Sequence, residues 1–365
     1  MLRYRHVWPI VRLLPPEFAH ALGLKLLKLP IRFAAPPSDD PFTFAGLTFR
    51  NRVGIAAGFD KNAACVGGIE RLGAGFVEVG TILVSPWRGN RVSPRMKRLR
   101  DLHAIWNRLG FTSRGLAVAA TNLCGYPRER RRGLIVAANI GPHPGHLKTL
   151  STRGEILATT LSEFRHLVEA LFLKVDLFVI NLSSPNTPGL RSLLQCPELC
   201  DAVVLPVRRR IRQLDEQTAR KWRTPLLVKL PPEDENRELW TDDTLRGIVG
   251  PLLATDACDG FVAVNTSTRL AMKHAHFPPP ELPGGVSGDP LRAQALRVVA
   301  MLRALVGPEK LVIGCGGVMA PAHAVEFRRA GADLVELYSG MIYGGPGLPA
   351  RCAQALLERG GESRS

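Results

Sequence analysis

The sequence predicts an α/β fold, a (β/α)8 TIM barrel with a short N-terminal helical extension. Eight short apolar runs alternate with amphipathic helical stretches along the chain. Each run is followed at once by a glycine or a polar residue, as expected where a buried strand delivers a loop to a site. Eight such strand and helix units close into a barrel, and 365 residues are enough to build one.

The N-terminal extension, residues 1–37, is predicted to be a basic amphipathic arm. Two short helices are expected on either side of Pro15-Pro16, and residues 1–32 carry six Lys or Arg against one acid. This composition is typical of helices that lie in a membrane interface, although an arm packed on its own domain is the alternative. A proline-rich break over 33–41 precedes the barrel domain, 38–365. The pattern favours neither a signal peptide nor a transmembrane span.

The strands and helices of the barrel follow from the hydrophobic period of each segment. The predicted strands are the apolar runs 53–57, 76–79, 134–138, 177–180, 226–228, 261–264, 311–313 and 334–337. The helices are predicted over 62–72, 155–173, 197–214, 241–253, 291–305, 321–330 and 347–358. Because the strands of such a barrel are parallel, their carboxyl ends meet on one face, where barrel enzymes have their active sites.

Asparagines are concentrated on this predicted active face. Asn139, Asn181 and Asn265 follow strands directly, and Asn107 and Asn186 lie on loops. Each amide side chain offers donors and an acceptor without net charge. A planar ligand such as a pyrimidine or a flavin needs these partners, because each unpaired buried polar group costs about 1–3 kcal/mol.

Two lysines add positive charge to the same face. Lys61 comes shortly after the first strand, and Lys229 ends the fifth. Because Lys229 should lie deep in the barrel, it requires a partner. A reduced flavin, a carboxylate substrate or a structural Asp or Glu would each serve.

A phosphate site is predicted after the last two strands. Gly316-Gly317 follows the seventh strand and Tyr338-Ser339 follows the eighth, where barrel enzymes bind phosphate with backbone N–H groups and a helix N-terminus. The chain has neither the glycine pattern of a Rossmann site nor that of a P-loop. Ser184, after the fourth strand, is a candidate base without a neighbouring histidine, so a Ser-His-Asp hydrolase is not supported.

The net charge and the cysteine content limit the classes of function that remain. The balance of 48 Lys+Arg against 32 Asp+Glu gives a net charge of +16, which favours anionic partners. The arginine clusters 128–132 and 208–212 lack interleaved aromatic residues, so we interpret them as solvated faces and expect no nucleic-acid partner. Seven scattered cysteines without a Cys-x-x-Cys pair indicate neither a disulfide framework nor a metal site.

These motifs together resemble the class 2, quinone-dependent dihydroorotate dehydrogenases over nearly the whole chain. The most specific motif is the loop Asn181-Leu182-Ser183-Ser184-Pro185-Asn186-Thr187. The class 2 arm is similar to Pro16-Glu17-Phe18-Ala19-His20. Further matching stretches are 54–62, 76–81, 107–111, 284–288, 316–317, 337–340, 342–343 and 345–346.

The resemblance implies oxidation of dihydroorotate to orotate in pyrimidine biosynthesis, with FMN as hydride acceptor and a membrane quinone as final acceptor. It implies a peripheral protein on the inner, cytoplasmic face of a membrane, with Ser184 as the base that takes the C5 proton. The implied substrate-binding residues are Lys61, Asn107, Asn181, Asn186, Asn265 and Thr266. The implied FMN-binding residues are Ala57, Gly58, Lys61, Thr81, Asn139, Asn181, Lys229, Ser287, Gly288, Gly316, Gly317, Tyr338 and Ser339, and His20 and Arg98 would flank the quinone tunnel.

Some positions depart from the pattern of this family. They are Ala63, Thr112, Val264 and the loops 82–87, 141–146 and 191–194. Each departure removes a polar group near the flavin or reshapes a loop over it. An FMN-dependent paralogue acting on another cyclic amide is therefore an alternative, and a non-catalytic basic membrane-binding protein is a further one.

Overall fold

The computed structural model describes residues 4–31, 39–274 and 284–362. The expected boundary between arm and barrel, at residues 37 and 38, and most of the proline-rich break fall outside the described residues.

The strands are β1 (Phe42–Phe44), β2 (Leu47–Phe49), β3 (Val53–Ile55), β4 (Phe76–Ile82), β5 (Met96–Leu99), β6 (Ala104–Asn107), β7 (Ile135–Ile140), β8 (Leu177–Asn181), β9 (Leu226–Leu230), β10 (Gly260–Ala263), β11 (Gly285–Gly288), β12 (Leu311–Cys315) and β13 (Leu334–Leu337). The helices are α1 (Tyr4–Val11), α2 (Pro16–Lys28), α3 (Val66–Glu70), α4 (Leu116–Gly125), α5 (Pro144–Leu147), α6 (Arg153–Leu171), α7 (Leu190–Leu194), α8 (Leu205–Thr218), α9 (Asp242–Ala254), α10 (Thr268–His274), α11 (Arg292–Val306), α12 (Pro321–Arg329), α13 (Ser339–Gly344) and α14 (Leu348–Glu362).

Eight parallel strands close into the predicted barrel, and their order around it follows the chain: β3, β4, β7, β8, β9, β10, β12 and β13. Each corresponds to one of the predicted apolar runs. Two smaller sheets were not predicted, the β1–β2 hairpin and the antiparallel sheet β11–β6–β5. The hairpin adds Phe49 to the barrel core, where its ring packs edge-on against Phe76 at 5.7 Å. Four of their five strands, β1, β2, β5 and β11, are interrupted by polar residues, so no apolar run marks them.

Inward-facing side chains form layers inside the barrel, because successive residues of a strand point to opposite faces. The lower layers are apolar and contain Phe76, Ile135, Leu177, Leu227, Leu311 and Leu334. The layer near the carboxyl ends is largely polar and contains Glu78, Asn139, Asn181, Lys229, Cys315 and Glu336. In the strand register, Asn181 is paired with Lys229 and Cys315 with Glu336. This polar layer forms the base of the site described below.

Three aspartates join neighbouring strands at the opposite end of the barrel. Asp176, Asp259 and Asp333 each precede a strand and accept a hydrogen bond from the backbone N–H that starts a neighbouring strand, at 2.7–2.9 Å. Each aspartate also pairs with arginine. The arginine clusters interpreted as solvated faces are therefore partly wrong: Arg131 and Arg208 are buried because they neutralise these carboxylates.

Replacing Asp259 by alanine is expected to destabilise the protein by about 3–5 kcal/mol, because the buried Arg208, 2.8 Å from Asp259, is left without a counter-charge. Urea unfolding measures the loss. Arg153→Ala is the control, since Arg153 pairs with Glu198 at 3.5 Å on the surface and such pairs contribute about 1 kcal/mol or less. Equal stability of the two variants would contradict this role for Asp259.

The arm forms two helices that separate at Pro15-Pro16, as predicted. Arginines of the barrel domain bind the helix ends: Arg98 donates to Leu14 O at 2.7 Å and Arg71 to Leu27 O at 2.6 Å. Arg95 pairs with Glu17, and the hydroxyl of Tyr4 donates to Ile342 O at 2.7 Å. The arm is thus attached to the barrel by its polar groups. Among the described residues, we find no helix with the length and hydropathy needed to span a bilayer.

Candidate active site

A pocket lies over the carboxyl ends of the barrel strands. Most of the residues expected at the site line it: Ala57, Gly58, Lys61, Thr81, Asn107, Asn181, Ser184, Asn186, Lys229, Asn265, Thr266, Ser287, Gly316, Gly317, Tyr338 and Ser339. Two expected residues lie behind the pocket wall. Asn139 is fully buried beneath Thr81, and Gly288 packs against the backbone of His103. The strand ends therefore converge as the sequence predicts.

A chain of amide and hydroxyl hydrogen bonds lines the base of this pocket. Thr81 Oγ1 donates to Asn139 Oδ1 at 2.6 Å, and Asn181 Nδ2 donates to the same oxygen at 3.1 Å. Asn265 Nδ2 reaches Ser183 Oγ at 2.9 Å, and Ser183 Oγ in turn donates to Asn181 Oδ1 at 3.0 Å. Because each amide is fixed by its neighbours, the free donors and acceptors point in fixed directions.

Ser184 lies on the loop after β8, where its side chain is buried and lines the pocket. Its Oγ accepts a hydrogen bond of 3.3 Å from the backbone N–H of Asn186. Arg191 supports the loop by donating to Ser183 O at 3.3 Å and to Thr266 O at 3.0 Å. A buried carboxylate, Glu233, pairs with Arg191 at 3.2 Å. These contacts position the serine, and no histidine among the described residues is hydrogen-bonded to it.

Asn107 and Asn186 form the wall of the pocket opposite the barrel base. Asn186 Nδ2 donates to Asn107 Oδ1 at 3.1 Å, and Asn90 binds the backbone oxygen of Asn186 at 3.0 Å. The buried Oδ1 of Asn186 has no hydrogen-bond partner. An unpaired buried acceptor beside a pocket is suited to an N–H group of a ligand.

Lys229 is bound by carboxylates of the barrel, which was one of the alternatives for it. Its Nζ donates to Glu78 Oε2 at 2.7 Å and lies 3.7 Å from Glu336 Oε2. The negative charge of Glu78 raises the pKa of Lys229 against the opposing effect of burial. The lysine therefore carries a fixed positive charge at the pocket base.

Lys61 lies on the other side of the pocket, where its Nζ donates to Gly58 O at 2.9 Å. Burial lowers its pKa to about 8, and the charges of Glu17 and Asp60 only partly offset this effect. Lys61 is charged at neutral pH, but no carboxylate of the described residues is in contact with its Nζ. An anionic ligand would supply the missing partner.

A Gly-Gly turn after β12 provides space and backbone donors at one end of the pocket. Gly316 and Gly317 both have positive φ, +119° and +82°, and a Cβ on Gly317 would lie 2.6–2.7 Å from Arg292. Glycine is required here because other residues rarely adopt this conformation. Ser287 Oγ and Ser339 Oγ lie 2.8 Å apart beside it. Backbone N–H groups and hydroxyls at the end of an amide-lined pocket fit a planar ring that carries a phosphate.

A second cavity of about 1130 Å³ lies between the arm and the barrel, with Tyr338 as part of the wall it shares with the pocket. His20 and Arg98 both line this cavity, where the resemblance placed them. The ring of His20 is parallel to that of Tyr338, with centroids 6.4 Å apart. Burial and the nearby Lys61 lower the pKa of His20 to about 3, so its imidazole is neutral.

The loops 82–87 and 141–146, which depart from the family pattern, pack against each other. The indole of Trp87 lies edge-on to His143 at 5.2 Å and donates to Gly110 O at 3.0 Å. Glu163 of α6 accepts from the backbone N–H of His143 and binds His146. The two loops thus support each other, and Phe111 and Thr112 lie between them and the pocket.

Three pocket or near-pocket residues were missed by sequence reasoning: Glu78, Cys315 and Glu336. A signal existed for the glutamates, because each interrupts an apolar strand, in Phe76-Val77-Glu78-Val79 and Leu334-Val335-Glu336-Leu337. A charged residue at an inward position of a barrel strand requires a partner inside the barrel. Cys315 gives no such signal, because cysteine is a common core residue.

The fold and the pocket define a barrel enzyme whose site, at the carboxyl ends of the strands, contains four asparagines, two lysines and a Gly-Gly turn. A family model described as dihydroorotate dehydrogenase matches residues 41–359. A dihydroorotate dehydrogenase (quinone) from Delftia acidovorans is 34% identical, with 98% of this chain and 99% of that protein covered. One from Teredinibacter turnerae is 38% identical, with 94% and 96% covered.

The solved structure of the DHODH from Eimeria tenella in complex with ferulenol superimposes with a TM-score of 0.80 at 32% identity, covering 96% of this chain and 93% of that chain. The chain therefore belongs to the dihydroorotate dehydrogenase family, in its quinone-dependent class. This family is flavin-dependent and oxidises dihydroorotate.

Proposed function

We propose that the protein oxidises dihydroorotate to orotate with FMN as the bound flavin and passes the electrons to a membrane quinone. One observation carries the proposal: Ser184 lines a pocket together with the uncharged amides of four asparagines, and no histidine among the described residues is hydrogen-bonded to its hydroxyl. A hydrolase would need an activated nucleophile, whereas abstraction of an acidic carbon-bound proton needs a positioned oxygen and binding groups for a ring.

The residues of the pocket divide between the substrate and the cofactor. Asn107, Asn181, Asn186, Asn265 and Thr266 would bind the edges of the dihydroorotate ring, and the nearby Lys61 would bind its carboxylate. FMN would be held at its ring by Ala57, Gly58, Thr81, Asn139 and Lys229, and at its phosphate by Ser287, Gly288, Gly316, Gly317, Tyr338 and Ser339. When bound, FMN would supply a hydride acceptor for C6 of the substrate and a carrier for the two electrons that pass to the quinone.

Side chains of the protein, and not the cofactor, would carry out the proton transfer. Ser184 Oγ would take the C5 proton as its own hydroxyl proton passes to water, since no histidine among the described residues is hydrogen-bonded to it. Lys61 contributes positive charge on the substrate side of the pocket. Asn181 and Asn265 would hold the ring with its C5–H bond directed at Ser184.

Orotate binding is expected to weaken about tenfold for each pH unit above about 8, because Lys61 loses its charge through a pKa of about 8. Below that pH the lysine is charged and affinity is constant. Calorimetric titration of orotate across this range measures the change. Lys61→Arg is the control, since arginine keeps its charge and should remove the pH dependence. A flat profile for the wild-type protein would contradict an ion pair between Lys61 and the ligand.

The cavity beneath the arm is the proposed quinone tunnel. It is lined mainly by apolar side chains, from both the arm and the barrel domain, and reaches Tyr338, which also lines the cofactor pocket. The neutral imidazole of His20 can donate to or accept from a quinone oxygen without adding charge to an apolar channel. Electrons could therefore leave the flavin without contact between quinone and dihydroorotate.

The outer surface of the arm is the proposed membrane contact on the cytoplasmic face. Ile10, Leu13 and Phe18 are 67%, 73% and 58% exposed and do not line the cavity. Lys25 and Lys28 of the same arm favour anionic lipid headgroups. Apolar side chains on the outside of a cavity entrance would bring the opening to the lipid phase, where a long-chain quinone is dissolved.

Removal of residues 1–31 is expected to lower quinone reduction by about 100-fold, because the apolar wall that buries the quinone is lost. Reduction of the bound flavin by dihydroorotate should stay within about threefold, since no pocket residue belongs to the arm. Stopped-flow absorbance separates the two half-reactions. In the full-length chain, Ala19→Trp, which fills the cavity, should give the same pattern. Equal loss of both half-reactions would refute a tunnel beneath the arm.

A further inference from the structure

The base of the cofactor pocket contains two buried glutamates and one lysine. Glu78 and Glu336 are fully buried on β4 and β13, and Lys229 reaches both from β9. Their side chains point into the barrel, and Lys229 and Glu336 also line the pocket. One lysine can neutralise only one of the two carboxylates. With both glutamates ionised, the cluster Glu78–Lys229–Glu336 would have a net charge of −1. Protonation of one glutamate makes the cluster neutral.

The contacts identify Glu78 as the charged carboxylate. It accepts hydrogen bonds from Lys229 Nζ at 2.7 Å, from Asn139 Nδ2 and from the backbone N–H of Ala57 at 3.4 Å. These donors stabilise the ionised form, and Lys229 holds the pKa of Glu78 below its usual range despite burial.

Glu336 has the opposite surroundings. Its Oε2 is buried, has no hydrogen-bond partner among the described residues and lies 3.7 Å from the lysine nitrogen. The titratable groups that face it are Glu78, Lys229 and the thiol of Cys315 on the adjacent strand β12. Burial and the negative charge of Glu78 raise the pKa of Glu336 well above its usual value. Lys229 Nζ lies 2.7 Å from Glu78 Oε2 and 3.7 Å from Glu336 Oε2, so the two carboxyl groups are close neighbours and one proton between them removes their repulsion.

We propose that Glu336 is a neutral acid in the wall of the cofactor pocket, where it shares its proton with Glu78 and turns an uncharged oxygen towards the pyrimidine edge of the flavin. This inference rests on the flavin of the proposed function. With Glu336 neutral, the cluster has no net charge. With Glu336 ionised, it would hold a net negative charge next to a ring that becomes more negative on reduction.

Glu336→Gln tests the proposal, because glutamine has the shape of the neutral acid but cannot ionise. Urea unfolding of the purified full chain, as isolated, is measured from about pH 5 to about pH 7, above the ordinary glutamate pKa of about 4.3. A raised pKa in the folded state means that the folded protein binds more protons than the unfolded one. The folding equilibrium constant of the wild type should therefore fall about tenfold per pH unit relative to the variant.

Infrared spectroscopy gives a second readout. The C=O stretch of a buried protonated carboxyl group should be present in the wild type and absent in Glu336→Gln. It should also be absent in Glu78→Gln, because Lys229 then has only Glu336 to pair with and that carboxyl ionises. Glu163→Gln is the matched control: Glu163 is buried in α6 against His146, and its loss should leave the band unchanged.

The affinity for FMN completes the test. At neutral pH, Glu336→Gln should bind FMN within about threefold of wild type, because one neutral group replaces another. Parallel pH profiles of the two proteins, or no protonated carboxyl band, would overturn the proposal. If the proposed function failed instead, the protein would contain no flavin, yet the pH slope and the infrared band would remain.

Discussion

Ser184→Ala is expected to slow reduction of the bound flavin by dihydroorotate about 10²–10⁴-fold at neutral pH, the range attributed to a general base. The hydroxyl lines the pocket, and its one hydrogen bond within the loop is a long contact from Asn186 N at 3.3 Å. Removing it should therefore leave FMN content and orotate affinity nearly unchanged. Anaerobic stopped-flow absorbance of the flavin measures the rate directly.

Ser183→Ala is the matched control for this variant. Ser183 is the neighbouring buried serine, but its hydroxyl binds Asn181 and Asn265 and does not line the pocket. Its loss should cost about 1 kcal/mol of stability through the amide network, with a far smaller effect on the reduction rate. Flavin reduction by Ser184→Ala at the wild-type rate would exclude Ser184 as the base.

Lys229→Met is expected to release most of the bound FMN and to destabilise the protein by about 3–5 kcal/mol. The variant removes the positive charge beside the flavin and leaves Glu78 buried without its counter-charge, 2.7 Å from an apolar side chain in place of the lysine nitrogen. Thermal unfolding and the flavin absorbance of the purified protein measure the two effects.

The double variant Lys229→Met with Glu78→Gln separates those effects. Removing both charges should restore most of the stability, because no unpaired carboxylate remains on the Glu78 side of the cluster. FMN should still be lost, because its positively charged partner is absent. A Lys229→Met protein that is as stable as wild type and yellow would contradict the position of Lys229 at the flavin.

The barrel and the convergence of its strand ends were predictable, because both follow from local patterns. The alternation of apolar runs with helical stretches defines the eight strands, and parallel strands bring Asn139, Asn181 and Asn265 to one face whatever the detailed packing. The N-terminal arm was predictable for the same reason: Pro15-Pro16 breaks the helix, and the arm does separate there.

Contacts between distant segments could not be predicted in the same way. The hydrogen bond between Asn186 and Asn107 joins residues 79 positions apart, and the ion pair between Lys229 and Glu78 spans 151 positions. No local pattern specifies such a pair. The burial of Arg208 was missed in the sequence analysis because a cluster of arginines is typical of a solvated surface. Its partner, Asp259, lies 51 positions away in the chain. These long-range pairs determine the charge states of the buried side chains. They therefore affect the chemistry of the site more than they affect the fold.

The departures from the family pattern are consistent with an intact site. Trp87 and His143 of the two altered loops pack against each other, and Val264 replaces a polar residue at the pocket wall with an apolar one. The residues proposed to contact the substrate directly, Ser184 and the asparagines around it, are present. Substrate choice should therefore be that of the family.

An anaerobic absorbance spectrum of the purified full-length protein, recorded before and after addition of dihydroorotate, tests the proposed function most directly. We expect the absorbance of oxidised FMN at the start, its complete bleaching by dihydroorotate within one turnover, and its return when a quinone is added. A protein without flavin absorbance, or a flavin that dihydroorotate leaves oxidised, would contradict the function proposed for this site.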